Sequence, residues 1–305
     1  MALESPRPFF VGSGAPAVPG AGAAASGLQR VPTGVPDFDY LTGGVPAGSV
    51  ILLLGEPGAG HPEFALTSAV HLMQYREEPA QHRIYLGTAA GPFVYPEGIL
   101  YVSLTRSQEQ ILDETRAAFD ATYPEVLLRH ITFRDLSSAY FADTVVPPAW
   151  AAVPSPLLGG GPRLAAADAG PLAALANALE PDGQANLIIV DSLTDLLVRR
   201  GIEPADLVTL VKGLRRRAKE WKGLVYLLLS QGVAAPAAEE AIIDSVDAVF
   251  AFRWTTAPNR THRQRVLLIE KSMPVLAHLA EEYQGRFVIR VHHLTGLVTT
   301  QHERI

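Results

Sequence analysis

The hydrophobic residues of this chain fall into short unbroken runs separated by longer stretches with helical spacing. Ser49–Leu54 (SVILLL), Ile99–Leu104 (ILYVSL), His130–Phe133, Asn186–Val190 (NLIIV), Leu224–Ser230 (LVYLLLS) and Ala248–Phe252 are apolar without alternation and bounded by turn residues. Continuous hydrophobicity belongs to strands covered on both faces, as in a parallel sheet. Between these runs, one helical pattern begins near Pro62 and sets Ala65, Ala69, Leu72 and Met73 on one face. A second opens with Ser107 and Gln110 at capping-box spacing and places Ile111, Leu112, Thr115, Ala118 and Phe119 on one side. A third covers Pro204–Trp221. Strands alternating with helices of this length predict an α/β fold with a doubly wound, mostly parallel central sheet and helices on both faces. Val266–Glu270 and Phe287–Val291 read as strands of an antiparallel C-terminal edge.

Some stretches break the pattern. Residues 1–28 are rich in Ala, Gly, Pro and Ser and bury too little apolar surface to offset ordering entropy, so they read as a flexible tail. An irregular or hairpin excursion is expected over Arg76–Gly98. A surface lobe is expected over Asp135–Pro171, where Pro, Gly and Ala cluster.

Composition narrows the function classes. With 48% hydrophobic residues in 305, the chain can bury a large core. Charged residues make up 18% and the net charge is −6, which argues against coating nucleic acid, since that requires many cations against phosphates. The absence of cysteine excludes disulfides, thiolate metal sites and cysteine nucleophiles. The nine histidines are scattered, and the adjacent pair His292–His293 would point to opposite faces of a strand. No apolar run reaches the ~18–20 residues of a membrane span, and the N-terminus lacks the basic start and apolar run of a signal peptide. A soluble, cytoplasmic protein is the expectation.

The chemical signal is Gly55-Glu56-Pro57-Gly58-Ala59-Gly60-His61-Pro62, after one strand and before one helix. That is the context of a phosphate-binding P-loop, whose backbone N–H groups cradle phosphates while a Lys reaches the β and γ phosphates and a hydroxyl holds Mg²⁺. Gly55 and Gly60 stand at the motif's spacing, but His61 replaces the Lys and Pro62 the Ser or Thr. A neutral imidazole is shorter and carries no fixed charge. Proline lacks both hydroxyl and N–H, yet fits the first turn of a helix. The strand–turn–helix can therefore persist while phosphate affinity falls.

The segment from Val31 (VPTGVPDFDYLTGGVPAGS) to the loop resembles the opening of KaiC- and RadA-like ATPases of the RecA superfamily. Together with GEPGAGHPEFALTSA (55–69), PEGILYVSLT (96–105), NLIIVDSLTDLL (186–197) and LVKGLRRRAKEWKGLVYLLL (210–229), it resembles in particular the archaeal KaiC-related proteins called HTR-like. The resemblance covers roughly 31–305 and implies a RecA/KaiC-like domain over 29–305, with the insertions near 76–98 and 135–171. It implies Asp191 as the Walker B carboxylate that holds Mg²⁺ through water, with a strand-end cap as the alternative. Gln231 takes the position of the γ-phosphate-sensing polar residue. The Glu pair that polarises the attacking water is replaced by Thr105 and Arg106, and Glu109 lies on the following helix. Of the Lys-x-Arg pair that faces a neighbouring subunit's nucleotide, Lys271 fits the first position and Met273 replaces the second.

Gly55, Gly58, Gly60, His61, Asp191 and Gln231 thus form a vestigial nucleotide site, with Asp191 as the metal candidate and no catalytic residue. ATP or ADP with Mg²⁺ is expected to bind weakly or not at all. The leading expectation is a KaiC-like protein without ATP hydrolysis, serving a regulatory or scaffolding role with a protein partner or an active homologue. The family's rings also admit a homo-oligomer. The alternatives are a weak ATPase that uses His61 as a phosphate contact and a RadA-paralogue-like DNA accessory protein. The latter would use the basic stretch Lys212, Arg215, Arg216, Arg217, Lys219 and Lys222, although a solvated helix face is the favoured account of that stretch.

Overall fold

The computed structural model describes residues 29–80, 93–151, 170–256, 263–276 and 285–301. The expected tail, the centre of the 76–98 excursion and the centre of the 135–171 lobe lie outside these residues.

A nine-stranded sheet organises the molecule. Its parallel part contains β3 (Ser49–Gly55), β4 (Ile99–Ser103), β5 (Ile131–Asp135), β6 (Leu187–Asp191), β7 (Leu224–Ser230) and β8 (Ala248–Thr256). The antiparallel extension is β9 (Arg263–Lys271), β10 (Arg286–His292) and β11 (Gly296–Gln301), giving the order β11-β10-β9-β8-β3-β7-β6-β4-β5. A separate two-stranded ribbon pairs β1 (Arg30–Val31) with β2 (Val45–Pro46).

Unbroken apolar runs require cover on both sides, and helices supply it. On one face lie α1 (Pro36–Thr42), α2 (His61–Glu77), α3 (Gln108–Ala118) and α4 (Thr122–His130); on the other lie α7 (Gly170–Leu179), α8 (Leu193–Val198), α9 (Pro204–Trp221) and α10 (Pro236–Ser245). Short helices α5 (Ser137–Phe141) and α6 (Pro148–Ala151) precede α7, and α11 (Met273–Leu276) follows β9. Alternate residues of each strand serve the two cores: Ile51 and Leu53 face α2, whereas Val50, Leu52 and Leu54 face α9 and α10.

Phe64 anchors α2. Its ring packs edge-on against Phe250 and Phe252 at 5.9 and 5.4 Å and against Tyr226 at 5.8 Å. Burial of such a side chain contributes about 1.5–3 kcal/mol, which fixes the helix start that closes the glycine-rich turn.

Two expectations are corrected. The strand expected over His130–Phe133 forms as Ile131–Asp135 but is only half-buried, because it is the sheet's edge. Ala118 is exposed: α3 ends there, and Thr115 and Phe119 take the core face.

The entry to β3 rests on a buried carboxylate. Asp39, on α1, accepts from the Thr33 N–H at 2.7 Å, the Thr33 hydroxyl at 2.8 Å and the Gly34 N–H at 2.8 Å. Arg30 closes the other end of α1 by donating to the carbonyls of Gly43 and Gly44, both at 2.6 Å. Burial pushes the Asp39 pKa up to about 7, against the lowering effect of the Thr33 and Gly34 donors and of Arg30. A raised carboxyl pKa means that the folded state holds the proton longer than the unfolded chain. Its stabilising contribution is complete below about 4 and is lost as pH rises through about 7. Denaturant unfolding at intervals between these values should show wild-type stability falling relative to Asp39→Asn by a few kcal/mol, since each tenfold difference in proton affinity between folded and unfolded chain corresponds to about 1.4 kcal/mol.

Candidate functional site at the carboxyl edge of the sheet

The parallel strands all end on one side, so residues far apart in sequence converge there. Gly55 ends β3, Asp191 ends β6, Ser103 ends β4 and Gln231 follows β7. Gly55 pairs with Ser230, Ser103 pairs with Asp191, and the Gln231 N–H donates to the Gly55 carbonyl at 2.9 Å. Crevices at the carboxyl ends of such sheets are where open α/β folds bind ligands.

The turn Glu56–Gly60 joins β3 to α2, the strand-to-helix place of a phosphate loop. Gly60, the N-cap of α2, has φ +114°, a backbone conformation that residues with a Cβ rarely adopt. Gly55 is required for a different reason. A Cβ there would lie 2.0 Å from Nδ1 of His61, so the imidazole lies directly against the strand end. His61 opens α2 with Pro62 beside it.

This imidazole is neutral in the fold. It is 8% exposed, and its Nδ1 is buried without a hydrogen-bond partner among the described residues. Burial depresses its pKa to about 4, although the Asp191 carboxylate pulls in the opposite direction. A second orphaned atom, Gln231 Oε1, lies at the neighbouring strand end. A P-loop Lys would bring a permanent charge to this place; His61 brings none at neutral pH.

The tip of the loop is clamped by β8 and β9. The Trp254 backbone N–H donates to Glu56 Oε2 at 3.0 Å, and its indole N–H donates to the Pro57 carbonyl at 3.1 Å. Arg265 Nε donates to the Gly58 carbonyl at 2.9 Å. The guanidinium groups of Arg263 and Arg265 lie 4.9 and 4.8 Å from the centre of the same indole ring. Two of the loop's own N–H groups turn inward, Glu56 to the Phe252 carbonyl at 2.9 Å and Ala59 to the Glu56 carbonyl at 3.0 Å.

Two donors converge on one oxygen of Asp191. The Tyr101 hydroxyl donates to its Oδ2 at 2.6 Å, and one arm of the Arg106 guanidinium pairs with the same oxygen. The other arm of Arg106 pairs with Glu114 of α3. Arg106 is brought here by the turn after β4, where its backbone N–H donates to Ser103 Oγ at 2.9 Å and the Leu104 N–H donates to the Asp191 carbonyl at 3.0 Å. Burial alone would lower the Arg106 pKa, but Asp191, Tyr101 and Glu114 together raise it, so the cation is permanent. Burial and the adjacent Asp191 drive the Tyr101 phenol well up, so it stays a donor. A site for Mg²⁺ needs oxygen ligands free to meet it. Here Oδ2 of Asp191 already accepts from a phenol and a guanidinium, Pro62 offers no hydroxyl, and among the described residues no group of three or more His, Asp or Glu side chains is placed to hold a metal, so the residues do not fit a divalent ion.

The sequence-predicted residues Gly55, Gly58, Gly60, His61, Asp191, Gln231, Thr105 and Arg106 thus share one edge of the sheet. Lys271 does not join them. Its ammonium donates to the carbonyls of Ile243 and Asp244 at 2.9 and 2.8 Å, satisfying acceptors at the end of α10, and Met273 is exposed on α11. The α10 carbonyls hold the ammonium against its own chain. Tyr101, Glu114, Trp254 and Arg265 were missed, because single polar residues in apolar strands or on exposed helix faces carry no local signal of their partners.

No protein-family model matches the sequence, and no curated protein sequence matches it. Solved structures do match the fold. The flagellar accessory protein FlaH from Methanocaldococcus jannaschii superposes with a TM-score of 0.58 at 15% identity, over 90% of this chain and 99% of that one. A KaiC-like protein from Pyrococcus horikoshii superposes with a TM-score of 0.57 at 17% identity, over 90% of this chain and 100% of that one. The mostly parallel sheet with an antiparallel edge is the RecA-like α/β fold that this chain shares with these neighbours.

Two outcomes are expected. Because the folded pKa of His61 lies below that of the free imidazole, its contribution is present above about 6.5 and lost as pH falls through about 4, opposite in sign to Asp39. Unfolding midpoints of wild type and His61→Asn should therefore diverge on acidification, with wild type losing more. Trp254→Ala should release the loop, so that amide exchange of residues 56–61 accelerates about tenfold or more while the core strands keep their protection.

Proposed function

We propose that this chain is a KaiC-like protein that does not hydrolyse ATP and serves as a regulatory or scaffolding component for a protein partner or an active homologue. The observation that carries the reading is Arg106, which stands at the position of a catalytic carboxylate and bonds the Asp191 carboxylate instead. Phosphoryl transfer relies on positioning and on charges aimed at the transferring group, and loss of one such group costs about a hundredfold or more. A neutral His61, a proline without hydroxyl at position 62 and a cation at position 106 remove three at once. One fold neighbour is a flagellar accessory protein. An accessory role of this chain, in which the fold offers a surface, fits the reading.

The alternative of a weak nucleotide-binding protein draws support from the two orphaned buried atoms, His61 Nδ1 and Gln231 Oε1, beside the loop. The nucleic-acid alternative loses support at α9. There Arg215 and Lys219 both pair with Asp247 at 2.9 Å, and Arg217 pairs with Glu180 at 2.6 Å and with Glu220. Among the described residues no helix is long and apolar enough to cross a membrane.

Calorimetric titration with ATP and ADP to millimolar concentration, with and without Mg²⁺, combined with phosphate-release assays, tests the proposal. No turnover above buffer and no Mg²⁺-dependent heat are expected. Mg²⁺-dependent turnover that His61→Ala abolishes would replace it with the ATPase reading.

A further inference from the structure

The site that resembles a metal-dependent one contains a carboxylate, yet its surroundings contradict a metal. We infer that Arg106 is an internal cation that permanently takes the divalent ion's electrostatic place, holding Asp191 and Glu114 together and excluding the ion. This deepens the reading of a site without hydrolysis, and it concerns the same edge of the sheet.

One guanidinium spans two carboxylates that belong to different elements. Its arms reach Asp191 at the end of β6 and Glu114 on α3, and the arm on Asp191 also lies 3.4 Å from the Tyr101 hydroxyl. Other ionisable neighbours are His61, neutral against Gly55, and Asp195 on α8, which accepts from the Ser192 N–H and hydroxyl at 3.2 and 2.9 Å. Three carboxylates therefore crowd this edge with Arg106 as the cation that bonds two of them. Without Arg106, Asp191 would keep only its tyrosine donor, and Asp191 and Glu114 would face each other across the vacated space. An uncompensated, largely buried carboxylate is strongly unfavourable, and two carboxylates brought to one point form a hard oxygen site that a divalent cation would neutralise. Because guanidinium is planar, always charged and able to bond two acceptors at fixed geometry, it suits the bridging role. A cation built into the chain makes the arrangement independent of metal concentration. It also gives Asp191 a structural occupation that no nucleotide state need change.

The test uses the full chain without nucleotide, with Mn²⁺ alone as probe, read by electron paramagnetic resonance and by thermal unfolding. Wild type should bind no Mn²⁺ at millimolar concentration, and its Tm should not respond. Arg106→Gln should melt lower than wild type, bind one Mn²⁺ per chain and regain about 3 °C or more when the ion is added. Addition of Asp191→Asn should abolish that binding. Arg106→Lys keeps the positive charge and should exclude Mn²⁺ as wild type does, a result that loss of packing alone would not produce. Should Arg106→Gln fail to fold in EDTA, its folding with Mn²⁺ present is the same gain read differently, and failure under both conditions overturns the inference. Mn²⁺ binding by wild type, no Mn²⁺ gain in Arg106→Gln, or a gain that survives Asp191→Asn also overturns it. Because no nucleotide is present, ATP turnover by wild type would sink the functional proposal while leaving the Mn²⁺ result to stand or fall separately.

Discussion

The carboxyl edge of a parallel sheet gathers strand ends, and in this molecule it sets the buried Asp191 within reach of an exposed glutamate through one half-buried arginine. Asp191, Glu114 and Asp195 meet there, and the Arg106 guanidinium ties the first two into one network with Tyr101. The strength of that network comes from its setting. An ion pair on an open surface contributes about 0–1 kcal/mol, whereas a partly buried one cannot lose a partner without leaving a charge that water no longer screens. The turn after β4, the middle of α3 and the end of β6 are consequently tied by charge as well as by the ladder between Ser103 and Asp191.

The same logic separates the shape of the loop from its chemistry. Glycines at 58 and 60 keep the turn, and Phe64 pins the helix that closes it. None of that depends on a phosphate. Positions 61 and 62 carry neither a lysine nor a hydroxyl, the loop carbonyls of Pro57 and Gly58 are bonded to Trp254 and Arg265, and the His61 imidazole lies against Gly55. A strand–turn–helix of this shape can therefore stand on internal contacts alone.

Buried titratable groups give the domain an uneven response to pH. Asp39 and His61 are both shifted mainly by desolvation, one upward to about 7 and the other downward to about 4, because burial penalises the charged form whatever its sign. Their effects on stability run in opposite directions across the same range. The net profile is flatter than either group alone would produce.

Much of the architecture was determined by sequence alone, since it is written in short windows. Unbroken apolar runs demand two-sided cover, the Ser107–Gln110 box starts a helix, and the glycines of the loop permit a turn that other residues resist; all of these form as expected except the run at His130–Phe133, which becomes a half-buried edge strand. The loss of the lysine and the hydroxyl at 61 and 62 was equally legible, as was the arginine at 106. Its partners were not. Arg106 lies 85 residues from Asp191, and Arg265 lies 207 residues from the Gly58 carbonyl that it bonds. Lys271 likewise meets the carbonyls of Ile243 and Asp244, which no local pattern around it announces. Such pairings depend on strand order and on where each strand stops, quantities set by the packing of the whole sheet. Local sequence determines which groups are present and roughly what backbone carries them; only the tertiary structure decides which of them meet.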